Sequence, residues 1–461
     1  MANVSTPSAG YLAGAEDRKL IADLSAGRNA MVAAGETYMP KYEAEEQKDY
    51  DARLRNAILE PIFADNLEFL VGKPFAKPVT LSDDVPVEIS EFESNIDRCG
   101  NSVHQIAVDV FEEGLSNGYC GILADHPQKL PEGSTRKDEL EAGHRPYIIH
   151  IAADDIIVAI SEFVNGAEMY THVRLREKKV VKDEFGEKVV NRVRVLEPGL
   201  FEIWEEQKVG NKSDWVKLDN EGGTTSLSYV PFRIFYAGKK NGTLEVKPPL
   251  MHVAHLNRAH WASEGDQRNI MQVARFPIFC ATGFNPGAGA DVKISPKTFM
   301  HSSDPAAKFF FAEHSGAAIA AGRQELLDIR EAALRKTKSL LVRAPVAESG
   351  VSKQHDETKE LSPIQRMVLR LANDMTTALG YLADFLDVAM DGKVNINSDF
   401  GNETSVETFG AVKDIYLAGV IGKERVIKEA MRRNILDQEV DPKIEVASAE
   451  DAAADILTNE I

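Results

Sequence analysis

The strongest pattern in the chain is an apolar stripe with alternating spacings of three and four. It runs through Leu361, Ile364, Val368, Leu371, Met375, Ala378, Leu382, Phe385 and Ala389. Ser362, Pro363 and Gln365 supply an N-cap, a proline in the first turn and a capping box. The stripe predicts a long helix over 362–391 that packs on a partner along its whole length. Gly392 ends it, and a short strand follows over 393–397. A second stripe, Leu326, Ile329, Ala333, Thr337 and Leu340, predicts a helix over 323–341. Glu325, Asp328 and Glu331 occupy its first half and Arg335, Lys336 and Lys338 its second. That order suits the helix dipole, and Glu331 stands four residues before Arg335.

Elsewhere the period changes. Residues 1–40 read as a loose arm with one short helix. The stretch 42–72 is helical, divided by Pro61 and ended at Gly72-Lys73-Pro74. Val103, Ile106, Ala107, Val110 and Phe111 predict that 92–123 is mostly helix, broken at Gly118 before a buried strand over 119–124. From 146 to 236 short β-branched runs replace helical spacing, at 147–151, 156–160, 170–175, 189–196, 200–205 and 232–236. Gly186, Gly210-Asn211 and Gly222-Gly223 mark tight connections, with a hairpin tip at 183–188. This is an antiparallel region. Pro248-Pro249 opens a further helix to about 274. A turn-rich module follows, with Asn285-Pro286-Gly287, Ser295-Pro296 and Ser303-Asp304-Pro305, and an aromatic strand at 308–312. The polar stretch 343–360 has few apolar residues and reads as a long loop. Helices over 406–418 and 423–434 precede an acidic, alanine-rich tail from 441.

Composition adds limits. The 461 residues suggest roughly three domains, and 43% hydrophobic with 27% charged is a globular balance; helical stretches beside an antiparallel region make the class α+β. The formal net charge of −19 argues against a protein that grips DNA by neutralising phosphates. It is compatible with one that lets DNA slide past an acidic wall. Cys99, Cys120 and Cys280 form neither a disulfide framework nor a zinc spacing, and they suit a reducing cytoplasm. No signal pattern opens the chain, and no apolar run is long enough for a membrane helix.

Catalytic motifs are missing from the sequence: no GxxxxGK[ST], no GxSxG and no HExxH. Gly287-Ala288-Gly289 lacks the third glycine and the strand-to-helix setting of a dinucleotide site. His252, His255 and His260 share a predicted helix. His260 stands about 80 degrees from the first and about 140 degrees from the second around the axis, a poor metal geometry. Asp83-Asp84 and Asp154-Asp155 sit in turns, where aspartate is at home. The sequence therefore implies no catalytic residue, cofactor or metal.

The order of elements resembles the wing, stem, clip, stem, tunnel loop, wing helix and crown of tailed-bacteriophage portal proteins. Specific segments carry the likeness to one subfamily, long catalogued only as a domain of unknown function. They include Tyr50-Asp51-Ala52-Arg53 leading to Phe69-Leu70-Val71-Gly72-Lys73-Pro74-Phe75, and Asn95-Ile96-Asp97-Arg98-Cys99-Gly100. Gly118-Tyr119-Cys120-Gly121-Ile122-Leu123-Ala124-Asp125-His126-Pro127 follows, then Arg145-Pro146-Tyr147 and Tyr229-Val230-Pro231-Phe232. Pro248-Pro249-Leu250, Leu256-Asn257-Arg258-Ala259-His260-Trp261 and Ser263 resemble the first stem helix. Each motif is short; their order over roughly 40–435 makes the likeness.

The resemblance implies a portal fold in these parts: arm 1–40, wing 41–248, stem helix 249–275, clip 276–322, stem helix 323–341, tunnel loop 342–361, wing helix and strand 362–402, crown 403–440 and tail 441–461. It implies a ring of identical subunits, usually a dodecamer, at one capsid vertex of the virion, assembled in the host cytoplasm. Its partners would be the terminase large subunit, head-completion or adaptor proteins, major capsid and scaffolding proteins, and double-stranded DNA passing through the channel, with no membrane. Arg335, Lys336 and Lys338 of the stem, with Arg343, Lys353 and Lys359 of the loop, would face DNA. Glu348, Asp356, Glu357 and Glu360 nearly cancel the loop's positive charge. Leu361, Ile364, Val368, Leu371, Met375, Leu382 and Phe385 would pack subunits together. Phe309, Phe310 and Phe311 would serve docking between clips. Two rival readings share the composition: another non-catalytic minor head or assembly protein of a virion, and a metal-dependent hydrolase built on the three histidines.

Overall fold

The computed structural model describes residues 3–127, 143–164, 166–209, 212–275, 278–283, 305–312, 316–341, 361–400, 406–432, 435–436 and 441–448. The chain divides into two units, Met1–Ser398 and Asp399–Ile461. Both helices and antiparallel strands are abundant, so the class is α+β.

The first unit opens with helices α1 (Ala9–Ala13), α2 (Ala15–Ala26) and α3 (Arg28–Ala34). The expected loose arm is instead packed. Leu20, Ile21 and Leu24 of α2 are buried, as are Met31 and Met39. Arg18, 3% exposed, lies 4.2 Å over the Tyr11 ring and donates to Asp154 Oδ1 at 2.6 Å and to the Tyr11 carbonyl at 2.8 Å. A buried guanidinium is tolerable because Nε and Nη2 find acceptors and one face meets the Tyr11 ring.

Helices α4 (Gln47–Asn56) and α5 (Ile62–Val71) meet at Pro61, the N-cap of α5, as the sequence predicts. Strand β1 (Thr80–Leu81) and the short α6 (Val87–Ser90) lead to α7 (Val103–Asn117). This helix is shorter than 92–123 suggests. Ser102 and Gln105 form a capping box that fixes its start. Gly118 ends it at φ 90°, a left-handed conformation that glycine adopts without strain.

Two sheets follow. Strands β2 (Tyr119–Asp125) and β3 (Tyr147–Ile151) belong to the smaller. Strands β4 (Ile156–Val164), β5 (Ala167–Asp183), β6 (Gly186–Glu197), β7 (Leu200–Val209) and β8 (Lys212–Lys217) form an antiparallel meander, with β9 (Gly223–Thr224) on β7. β8 carries no β-branched run and escaped the sequence reading. Strand β10 (Phe232–Tyr236) returns to the small sheet, giving the order β10-β2-β3. Strands β11 (Lys239–Lys240) and β12 (Val246–Lys247) make a separate pair. Alternation sorts the faces of β2. Tyr119 and Leu123 join Phe232, Ile234, Ile156, Val173, Leu175 and Val193 in one core against the large sheet. On the other face Cys120 Sγ reaches the Val110 carbonyl of α7 at 3.2 Å, and Phe111 approaches Phe235. Gly114 of α7 is required here, because a Cβ would stand 2.4 Å from the Phe235 ring.

Two long helices come next, α8 (Met251–Ala274) and α9 (Ala317–Leu341), with β13 (Ile278–Thr282) and β14 (Lys308–Ala312) paired between them. Helix α10 (Pro363–Leu386) has the predicted capping box of Ser362 and Gln365. It stops earlier than 391, because Asp387 turns left-handed at φ 55° and its N–H caps the Ala383 carbonyl. Strand β15 (Val394–Asn395) then pairs with β1. The second unit contains α11 (Val406–Leu417) and α12 (Lys423–Arg432).

Candidate functional site

The feature with most functional content is the antiparallel pair α8 and α9 with its strand pair. Three contacts set the register of the helices. Gln267 Nε2 donates to the Ile319 carbonyl at 2.9 Å, and Ser263 Oγ donates to Glu325 Oε2 at 3.0 Å. Farther along, Glu60 takes His260 Nε2 on one oxygen at 3.3 Å and Arg330 on the other at 3.2 Å. Gly322 leaves room for the Gln267 amide, since a Cβ there would lie 2.1 Å from its oxygen and displace it. Helix α9 begins at Ala317, six residues before the sequence expectation, so the turn-rich module is shorter than 276–322.

The α4–α5 junction braces α8 against the body. Asn257, 1% exposed, donates to the Glu60 carbonyl at 2.9 Å and accepts from the Phe63 N–H at 2.8 Å. Glu264 accepts from the Ile58 N–H at 3.2 Å. Arg53, 2% exposed, bridges Glu45 at 2.7 Å and Asp266 at 3.0 Å, and Tyr42 donates to Asp266 at 2.7 Å. The Asn257 and Glu264 bonds satisfy backbone groups left open around Pro61, where the helix is interrupted. The sequence reading noted Asn257 only as part of a motif and missed Glu60. The visible signal was a proline-broken helix, which needs outside partners for its free backbone groups.

Among the residues expected to face DNA, Arg335 pairs with Glu331 at 3.4 Å, both side chains being 70% exposed. Lys336 and Lys338 are exposed on the same half of α9. Arg343, Lys353 and Lys359 lie outside the described residues, as does the whole stretch 342–360. Phe310 is 47% exposed and Phe309 half-buried; Phe311 pairs with Phe279 in the backbone register.

The stripe expected to pack subunits meets a different partner. Ile364, Val368, Leu371 and Met375 are fully buried, and Leu382 nearly so, within this chain. Their helix lies across β10 and β2. Phe385 is half-buried with its ring centroid 5.7 Å from that of His126, and Leu361 is 46% exposed. Side chains with no exposed surface have none left for another subunit. The heptad spacing reports a packing partner, and here the partner is the chain's own sheet. Asp374 sits in the same buried face, 2% exposed, and accepts from Arg233 Nε at 2.7 Å. Burial raises its carboxyl pKa above the ordinary 3.8, against the lowering pull of Arg233.

The histidines separate. His260 is buried, and burial lowers its pKa against the pull of Glu60 and Glu264. His252 and His255 are exposed and line an open cleft of about 370 Å³ with Asp17, Glu245 and Lys247. Among the described residues no three histidine, cysteine or acidic side chains converge on a metal position. None of the described helices is long and apolar enough to cross a membrane.

A family model for a domain of unknown function, DUF4055, matches residues 249–386, from the start of α8 to the end of α10. No curated protein matches the chain. Among solved structures, the chain is similar to one from the neck of an empty gene transfer agent particle. The identity is 11%, over 88% of this chain and 98% of that one, with a TM-score of 0.42. A chain from the virion of the native gene transfer agent particle is 13% identical over 87% of this chain and 97% of that one, with a TM-score of 0.40. A chain from the neck of the native particle, computed with C12 symmetry, is 11% identical over the same shares, with a TM-score of 0.39.

Proposed function

We propose that this chain is a phage portal protein: the subunit of a closed ring, usually of twelve, at one capsid vertex, through which the genome is packaged and ejected. One observation carries the reading. Two long antiparallel helices, braced at one end and joined through a strand pair at the other, are followed by a long amphipathic helix. That order matches the stem, clip, stem and wing helix inferred from the sequence motifs.

In this reading α8 and α9 form the stem and β13 with β14 part of the clip. The clip meets the terminase large subunit and later the head-completion proteins, while major capsid and scaffolding proteins surround the wing. The motor hydrolyses ATP, and this chain does not. The braces at Glu60, Asn257 and Asp266 tie stem to wing, so force on the stem reaches the body through hydrogen-bonded contacts. Arg335, Lys336, Lys338, Arg343, Lys353 and Lys359 supply brief phosphate contacts in a channel whose subunits each carry a formal charge of −19. Net repulsion with sparse cations lets DNA move without sticking.

Negative-stain electron microscopy of the purified full-length protein tests the proposal. Closed rings with a central hole are expected in views down the particle axis. Uniform monomers at high concentration overturn it.

A further inference from the structure

The two long helices are held to the body unequally. On α8, Met251, Val253, Ala254, Asn257, His260 and Trp261 are all buried. The Asn257 amide makes two bonds to the α4–α5 junction, and buried Arg53 holds Asp266. α9 buries only Ala333 and Thr337, both in its second half. Before them, its polar contacts run mainly to α8: the Ile319 carbonyl accepts from Gln267, and Glu325 accepts from Ser263. Among the described residues, one polar contact joins α9 to the body outside α8. It is the ion pair of Arg330 with Glu60.

The Glu60 carboxylate therefore holds both helices, with unequal grips. Towards α8 it meets His260, whose side chain is 5% exposed. Towards α9 it meets Arg330, whose side chain is 65% exposed. Ions screen a charge pair that stands in water, and such a pair opens easily; burial shelters the other grip. The helices also leave room for movement. An open groove of about 480 Å³ is lined by Leu256 of α8 and by Ala321, Ile329 and Ala332 of α9, among others. Small side chains there give α9 little to interlock with α8. Gly322, inside α9, weakens the helix itself.

We propose that Glu60 is a latch with one fixed and one releasable grip. α8 stays bound to the body. α9 loosens from it, as far as Ala333, when the Arg330 pair opens. Buried Ala333 and Thr337 are then the anchor about which the free part of α9 shifts on α8. Ions that screen or compete for the exposed guanidinium set how often α9 is free. The device belongs to the single chain and requires no ring, so it stands or falls apart from the portal reading.

The test is hydrogen exchange of the full-length protein, read by mass spectrometry. Parent and variants are compared in the same assembly state, checked by sedimentation velocity. In Arg330→Gln, the amides of 317–329 should exchange about two- to fivefold faster, the effect of losing one exposed ion pair. Those of 251–264 in α8 should keep the parent's rates. Salt at about 1 M, where the screening length is about 3 Å, should speed the same α9 amides in the parent. In Arg330→Gln that salt should add nothing, because the pair is already gone. Arg330→Lys keeps the charge and should restore most of the slow exchange. Parent rates along α9 in Arg330→Gln overturn the latch. So does equal acceleration in both helices, since Glu60 then holds them as one body. A salt effect undiminished in Arg330→Gln overturns it too, by assigning the screening to other charges. Should Arg330→Gln melt early, the salt series on the parent decides. Acceleration confined to α9 supports the latch, and acceleration in both helices or in neither overturns it.

Discussion

Helices α9 and α10 are nearly the same length, 25 and 24 residues, and both show apolar stripes in the sequence. In the fold they differ sharply. α10 buries nine side chains against the chain itself: Ile364, Val368, Leu371, Asp374, Met375, Ala378, Leu379, Leu382 and Ala383. α9 buries two. Spacing thus tells that a helix has a packing partner and which face meets it. It does not tell whether the partner belongs to the same chain. That difference assigns the roles: α10 holds the body together, and α9 is left with surface to offer.

The largest effect that would break this contrast is Val368→Asp. Val368 has no exposed surface, so the new carboxylate would be buried without a partner. The expected loss is about 3 to 5 kcal/mol of folding stability, enough to unfold many domains. Urea denaturation followed by circular dichroism measures it. A variant that melts like the parent would mean that the α10 stripe is not the body's core, and would return it to the subunit interface.

How much of this was legible follows from what each signal encodes. Capping chemistry is local, so Ser362 with Gln365 gave the start of α10 to the residue. β-branched runs gave β3 and β10 at their full extent, while β8, with Lys212, Asp214 and Lys217, offered no alternation to read. Only one short N-terminal helix was expected where three pack, because Arg18 is a residue type that reads as surface until its partners Tyr11 and Asp154 are in place. The site divided in the same way. The order of α8, α9 and α10 was readable, but the Glu60 brace joins residues about 200 and 270 positions apart, and the burial of the α10 stripe inside the chain depends on which sheet comes to lie beneath it.

A smaller effect sharpens the contrast from inside α10. Burial holds the Asp374 carboxyl pKa above its ordinary 3.8. The sign follows. A carboxyl whose folded pKa is raised favours the fold while protonated, and that contribution is lost as pH rises from about the ordinary value through the raised one. Asp374→Asn keeps an oxygen for Arg233 and removes the titration. The stability difference between Asn variant and parent should therefore grow in the variant's favour as pH rises from 3.8, levelling once pH has passed the raised pKa. Thermal melts at matched pH values measure it. A difference that shrinks with rising pH would show that the Arg233 ion pair outweighs the desolvation of Asp374.

The smallest effect is expected on α9, and its smallness is the point. Leu327 keeps nearly half its surface in water, so Leu327→Gln forfeits only part of one side chain's burial, and glutamine matches leucine closely in helix propensity. The isolated subunit should lose about 1 kcal/mol or less, against several for Val368→Asp. The comparison requires the subunit to be monomeric during the melt, because assembly adds stability by mass action. Under dilute, high-salt conditions the parent and the variant should melt nearly together. A large loss there would mean that Leu327 packs within its own chain, and the contrast between a helix that builds the body and a helix that faces outward would no longer hold.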